Sequence, residues 1–184
     1  MLAINLAASS VEMGLIPIVI CQDPQGTSIN YFNNGNLNFK VLGSLPREQP
    51  NADIIFFDHQ ASDWEVPQTK LLVIPLKPAR DQYATYIDAL KRAEKKEKKI
   101  ITVVTDGQPH RKSELNTVRY LKQEGAFVVP SSGVFSRAAE EYYSIFNPSL
   151  NKAYKVAERR KEINKILGAI LLDNEEDIYN KQEV

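Results

Sequence analysis

Five short apolar runs constrain the fold most: IPIVI (16–20), DIIFF (53–57), KLLVI (70–74), IITVV (100–104) and AFVV (126–129). Each is nearly continuous in its hydrophobicity rather than alternating, the pattern of a strand covered on both faces. Helical patterns follow or separate them. In RDQYATYIDALKRAEKKEK (80–98), Tyr83, Tyr86, Ile87 and Leu90 recur at helical spacing. SELNTVRYLKQEG (113–125) ends on Gly125, where a helix stop is expected. SRAAEEYYSIF (136–146) and NKAYKVAERRKEINKILGAILL (151–172) supply two more, the second with Ile163, Ile166, Leu167 and Ile170 on one face. Strands alternating with helices predict a doubly wound α/β fold, a mostly parallel sheet flanked by helices. Segment 29–51 is polar and rich in Asn and Gly, and reads as loop with at most one short element. One domain over residues 1–172, followed by a loosely held acidic tail at 173–184, is the expected organisation.

Charge and cysteine content narrow the class of function. The 184 residues carry 23 Lys plus Arg and 23 Asp plus Glu. Bulk charge therefore gives no push toward nucleic acid, and DNA binding requires a local patch. One cysteine, Cys21, excludes an internal disulfide and fits a reducing compartment. The apolar start has no basic leader and is broken by Glu12, Gln22 and Asp23, and IVIC lacks the small residues of a lipoprotein cleavage site. No run reaches the roughly 18 apolar residues of a membrane span. A cytoplasmic protein without a membrane partner is expected.

Ligands in parallel α/β sheets bind beyond the carboxyl ends of the strands. Those ends here read CQDPQG, DHQ, PLKP, TDG and PSSG, so two strands deliver Asp23 and Asp58 to one rim. Paired carboxylates suit a hydrated Mg²⁺ and an oriented water. The alternative is that each aspartate caps the helix that follows it. Cys21 reads as a small apolar strand residue. His59 reads as a loop residue beside the site, since Cys21, His59 and His110 are too few for a metal cluster. Near the end, Lys152, Lys155 and Arg159 fall on one helical stripe with Arg160, Lys161 and Lys165 beside it. The stripe reads either as a phosphate-contacting face or as a solvated face balanced by Glu158 and Glu162. RAEKKEKK (92–99) reads as solvated surface.

Taken in order, LAINLAASS, CQDPQGTS, IIFFDHQASD, LLVIPLKPARDQYATYIDAL and VVPSSGVFSRAAEEYYSIF resemble the ParA/MinD family of deviant Walker-type P-loop ATPases, especially its short plasmid-partition members. The resemblance spans residues 2–172. It implies that Asp23 positions the attacking water with Gln25 beside it, that Asp58 holds Mg²⁺ through water, and that Pro130 and Ser131 flank the base. Thr105 stands where the family commonly has an adenine-recognising Asn or Asp. The implied cofactors are ATP and Mg²⁺. The implied partners are a second copy, DNA bound without sequence preference, and a centromere-bound ParB-like protein that triggers release. The implied place is the cytoplasm, at the nucleoid. Relatives that position conjugation or membrane machinery belong to the same family.

One departure is large. In the family, a short strand and a K-G-G-x-G-K-T loop immediately precede the AINLAA helix, so the phosphate-binding Lys and Thr would fall upstream of Met1. The helix opens on the initiator Met with no capping residue, and the expectation is a trimmed chain whose sheet lacks a middle strand. The competing expectation is a non-hydrolysing interaction module of the same family. A phosphoacceptor receiver domain, with Asp23, Asp58 and Thr105 in its acidic, acceptor and switch roles, ranks third, because FVVPSS lacks the lysine such a domain carries after its last strand.

Overall fold

The computed structural model describes residues 1–60, 65–108 and 111–182, the last nine by their backbone alone. His110 and the small-residue loop at 61–63 lie outside the described residues. The fold is α/β, and among the described residues every strand pairing is parallel. The chain divides into two compact units, Met1–Glu65 with Ser132–Ile163, and Val66–Ser131 with Asn164–Val184. The strands form two three-stranded sheets, one in each unit.

In the first unit the elements are α1 (Leu2–Glu12), β1 (Pro17–Cys21), α2 (Thr27–Asn34), β2 (Lys40–Leu42) and β3 (Ile54–Asp58). The strand order is β2-β1-β3. β1 is buried along its whole length, and α1 buries residues 4–10 in sequence. That run includes Ser9 and Ser10, and the Ser10 hydroxyl donates to the Leu6 carbonyl at 3.0 Å, which lets a polar side chain sit in a core. α1 has Met1 as its N-cap with no side-chain cap, although the Asn5 amide donates to the Met1 carbonyl at 3.0 Å.

Segment 29–51 holds more than a loop. Most of α2 and all of β2 fall in it, and β2 pairs with β1 from Ile18↔Lys40 to Ile20↔Leu42. Its apolar anchors Tyr31, Phe39 and Val41 are 6%, 7% and 5% exposed, but they are too widely spaced to register as a period.

α5 (Gly133–Glu140) and a 3₁₀ turn (Pro148–Leu150) complete this unit with the start of α6 (Val156–Gln182). The helix expected through Phe146 stops at Glu140 because Tyr142 takes φ 53°. The Tyr142 amide then bonds back to the Ala139 carbonyl at 3.2 Å and Tyr143 to Ala138 at 2.8 Å, closing a left-handed helix stop on a non-glycine residue. Tyr31 meets Tyr142 edge-on at 5.7 Å. A Cβ on Gly35 would collide with the Tyr142 carbonyl, so only glycine fits there.

Ile145, fully buried, is held at both its backbone groups by side chains. Its N–H donates to Asn5 Oδ1 at 2.9 Å, and its carbonyl accepts from Arg160 Nε at 2.8 Å. Arg160 also donates to Asn151 Oδ1 at 2.9 Å and to the Asn147 carbonyl at 3.2 Å, with its guanidinium 5.6 Å from the centre of the Phe146 ring.

Of the two readings of the basic stripe before and along α6, the contacts of Arg159 fit the solvated face balanced by Glu158 and Glu162, and Lys152, Lys155, Lys161 and Lys165 are exposed. Lys152 and Lys155 precede the helix, and Lys155 takes φ 59° with its ammonium over the Tyr154 ring. Arg159 is 6% exposed and pairs with Glu158 at 3.3 Å and Glu162 at 3.2 Å. Arg160 is committed to the backbone as above. The apolar face of α6 is as expected, with Ile163, Ile166, Leu167 and Ile170 buried. α6 also runs on to Gln182, through the segment expected as a loose tail.

The second unit contains β4 (Leu71–Leu76), α3 (Arg80–Lys95), β5 (Lys99–Thr105), α4 (Lys112–Gln123) and β6 (Phe127–Val129) in the order β4-β5-β6. Leu76, Tyr86, Val104, Leu121 and Ala126 form its core, with Tyr83, Ile87, Leu90 and Val118 packed around it. This is the α3 face read from the sequence. α4 ends as expected. Gly125 at φ 88° donates to Lys122 and Ala126 donates to Leu121, which satisfies two orphan carbonyls. Continuous hydrophobicity suggested interior strands throughout, yet β3 is half-buried along its length and β4 over residues 71–74. Among the described residues each is the end strand of its sheet. No helix among the described residues is long and apolar enough to cross a membrane.

Candidate functional site

In the first unit the register Cys21↔Asp58 puts the carboxyl ends of β1 and β3 side by side, and the Gln22 amide donates to the Asp58 carbonyl at 2.9 Å. The chain leaves β1 through Asp23, whose Oδ1 accepts the Gln25 N–H at 2.9 Å while its carbonyl accepts from Gly26 at 2.8 Å. Gly26 at φ 64° then turns the chain into α2. Asp23 thus holds the turn before α2 without capping the helix, whose N-cap Gly26 has no side-chain cap, and Gln25 is exposed on that turn.

Asp58 ends β3, and its Oδ2 accepts a hydrogen bond from the hydroxyl of Ser28, a fully buried residue in the first turn of α2. Burying a hydroxyl is favourable only with a partner, so this pair locks α2 to β3. Cys21 is buried, as a small strand residue should be. His59 contacts Gln22 Oε1 through Nδ1 at 3.3 Å. Ser28 was missed in the sequence, although its place just after DPQG, at a helix start, was the available signal.

The second unit gathers the ends of β4, β5 and β6. The Thr105 hydroxyl donates to the Leu76 carbonyl at 3.3 Å and is thereby occupied. Asp106 follows at φ 55°, its amide bonded to the Val129 carbonyl at 3.2 Å. Its carboxylate meets Lys77 Nζ at 3.0 Å and is also hydrogen-bonded by the Ser131 side chain. Pro130 directly precedes Ser131 on the stretch leaving β6. Beside them, Glu114, 7% exposed, accepts from the Gln108 amide at 2.9 Å and from Arg111 at 2.8 Å. Lys77 and Asp106 stood among the strand ends read from the sequence, in PLKP and TDG, but their pairing was not foreseen.

The Lys77 hydrogen bond, then that of Ser131, hold the Asp106 carboxyl below the usual range, with the Lys77 and Arg111 charges assisting against the opposing effect of burial. Lys77→Ala is expected to return this pKa upward, which an NMR titration of the Asp106 side chain reads directly. A carboxyl depressed in the folded state adds stability at neutral pH and loses it as pH falls below about 4. The pair is largely exposed, so the change in stability is small.

Among the described residues no three of His, Cys, Asp and Glu converge on a metal site. The Asp58 carboxylate and Ser28 hydroxyl are hard oxygen donors, which fit Mg²⁺ held through water rather than zinc. For ATP the fit fails at the phosphates: no glycine in the chain is followed by lysine, so residues 1–184 carry no G-K-T cradle. No protein-family model matches the chain, and no curated protein does either.

Proposed function

We propose that the chain is a ParA-like partition ATPase whose nucleotide site is incomplete within residues 1–184. It would act in plasmid or chromosome segregation by ATP-dependent dimerisation, nonspecific DNA binding at the nucleoid, and release by a ParB-like partner. The observation carrying this reading is that Asp58 ends β3 beside the end of β1, two residues before Asp23, with Ser28 bonded to Asp58. In that role Asp23 orients water and Asp58 holds Mg²⁺ through water. ATP with Mg²⁺ would supply the energy that switches the dimer. By the same resemblance Thr105, Pro130 and Ser131 are the base-side residues, and within the second unit Lys77 and Ser131 both bond Asp106.

A second reading follows from the same resemblance. A non-hydrolysing module of the same family, including a relative that positions conjugation or membrane machinery, would keep the partner surfaces and lose turnover. Sedimentation with and without ATP–Mg²⁺ separates the two. The partition reading expects an ATP-dependent dimer when a strand and a K-G-G-x-G-K-T loop are fused ahead of Met1, and none for residues 1–184 alone. A fused chain that stays monomeric with ATP overturns it.

A further inference from the structure

The net charge of the chain is zero, yet residues 91–99, KRAEKKEKK, concentrate six cations against two glutamates. Lys91 and Lys95 stand one turn apart on α3, and Lys96 is its C-cap. Glu97 then takes φ 52° to turn the chain into β5. All three lysines are exposed, and among the described residues their ammonium groups make no ion pair or hydrogen bond. The rest of the run is committed elsewhere. Lys98 donates to the Gln68 carbonyl at 3.1 Å, Lys99 pairs with Asp173 at 3.1 Å, and Arg92 has a partner of its own. Lys70 is also exposed at this edge, where its carbonyl accepts the Lys99 amide at 3.0 Å.

A helix C-terminus favours a cation or two, but like charges at i,i+4 repel, so three unpaired lysines exceed what the helix dipole rewards. The composition of the patch identifies its partner. It has no aromatic or large aliphatic side chain, and its one apolar residue, Ala93, is 1% exposed. An amphipathic membrane helix inserts apolar residues, and protein interfaces are depleted in lysine and enriched in aromatics. Lysine point charges without an apolar anchor match a nucleic-acid backbone.

We propose that Lys91, Lys95 and Lys96 form the surface on which this protein docks the phosphate backbone of duplex DNA. The choice of DNA rests on the partition reading; the location rests on three exposed lysines within about one turn, whereas Arg159 and Arg160 of the α6 segment are internally paired and its exposed lysines 152, 155, 161 and 165 are spread over fourteen residues.

The test is fluorescence anisotropy of a labelled random-sequence duplex titrated with the full chain at several salt concentrations. Binding that weakens with salt is expected. Lys91→Gln/Lys95→Gln/Lys96→Gln should bind at least about tenfold more weakly at low salt and flatten the logarithmic salt slope by about three. The matching triple Arg variant should keep both. An unchanged affinity and slope in the Gln variant overturns the proposal, as does a wild-type chain that ignores the duplex or prefers phosphatidylserine vesicles to it. Circular dichroism confirms that the variants fold. Loss of this surface with ATP-dependent dimerisation of the fused chain intact leaves the partition reading standing, whereas the reverse outcome removes that reading and keeps the surface.

Discussion

Asn5→Ala is expected to lower the stability of the chain by about 2 kcal/mol, read as a reduced midpoint in urea. The cost arises far from the substitution in sequence. Asn5 Oδ1 accepts the N–H of Ile145, which is fully buried, and alanine would leave that donor unpaired with no water to replace the lost oxygen. Arg160→Met should cost about as much or more, because the opposite side of the same residue, the Ile145 carbonyl, loses Nε, and Asn147 and Asn151 lose their donors. Methionine keeps much of the aliphatic stem that packs near Phe146, so the measured loss reflects the hydrogen bonds more than the packing. The two substitutions should also be non-additive. Once either side chain is gone the Ile145 segment can relax toward water, and the second loss costs less than it does alone. A double-mutant cycle giving coupling of at least about 0.5 kcal/mol is the expected signature. Strict additivity would mean that the segment is held by packing and not by this relay.

The elements legible in the sequence were those whose signal is local and dense. The α6 face, the α3 face and the Gly125 stop each rest on a few residues within two turns, and all are present. What escaped depended on single residues or on distant partners. α2 and β2 are anchored by three isolated apolar side chains and a glycine in the left-handed region, which leaves no period to read. The early stop of α5 rests on a tyrosine at positive φ, a conformation that no composition rule assigns to tyrosine. The two readings of the basic stripe stayed open for a related reason. Arg159 has the same spacing whether it faces solvent or closes on Glu158 and Glu162, and only its burial distinguishes the two. At the strand ends, the positions of Asp23 and Asp58 were legible because strand ends are, whereas Ser28 and the Lys77–Asp106 pair needed the register of neighbouring strands to bring them into contact.

Asp23 itself has two roles to separate, and two substitutions separate them. In the fused chain carrying a phosphate loop, Asp23→Ala is expected to cut ATP turnover by at least about a hundredfold while leaving ATP binding in place. By itself that result would be ambiguous, because alanine also removes the acceptor of the Gln25 N–H and loosens the turn into α2. Asp23→Asn keeps that acceptor: the amide oxygen can take the same hydrogen bond, and asparagine is at home in such turns. It removes only the negative charge and the basicity that orient a water and receive its proton. If Asp23 acts on water, the Asn variant should be as inactive as the Ala variant, with its stability near wild type. If Asp23 serves only to launch α2, the Asn variant should recover both stability and turnover, and the assignment of Asp23 to the chemistry would fail. Single-turnover kinetics, read beside urea unfolding of the same two variants, decide between these roles because the turn and the charge respond to different atoms of one side chain.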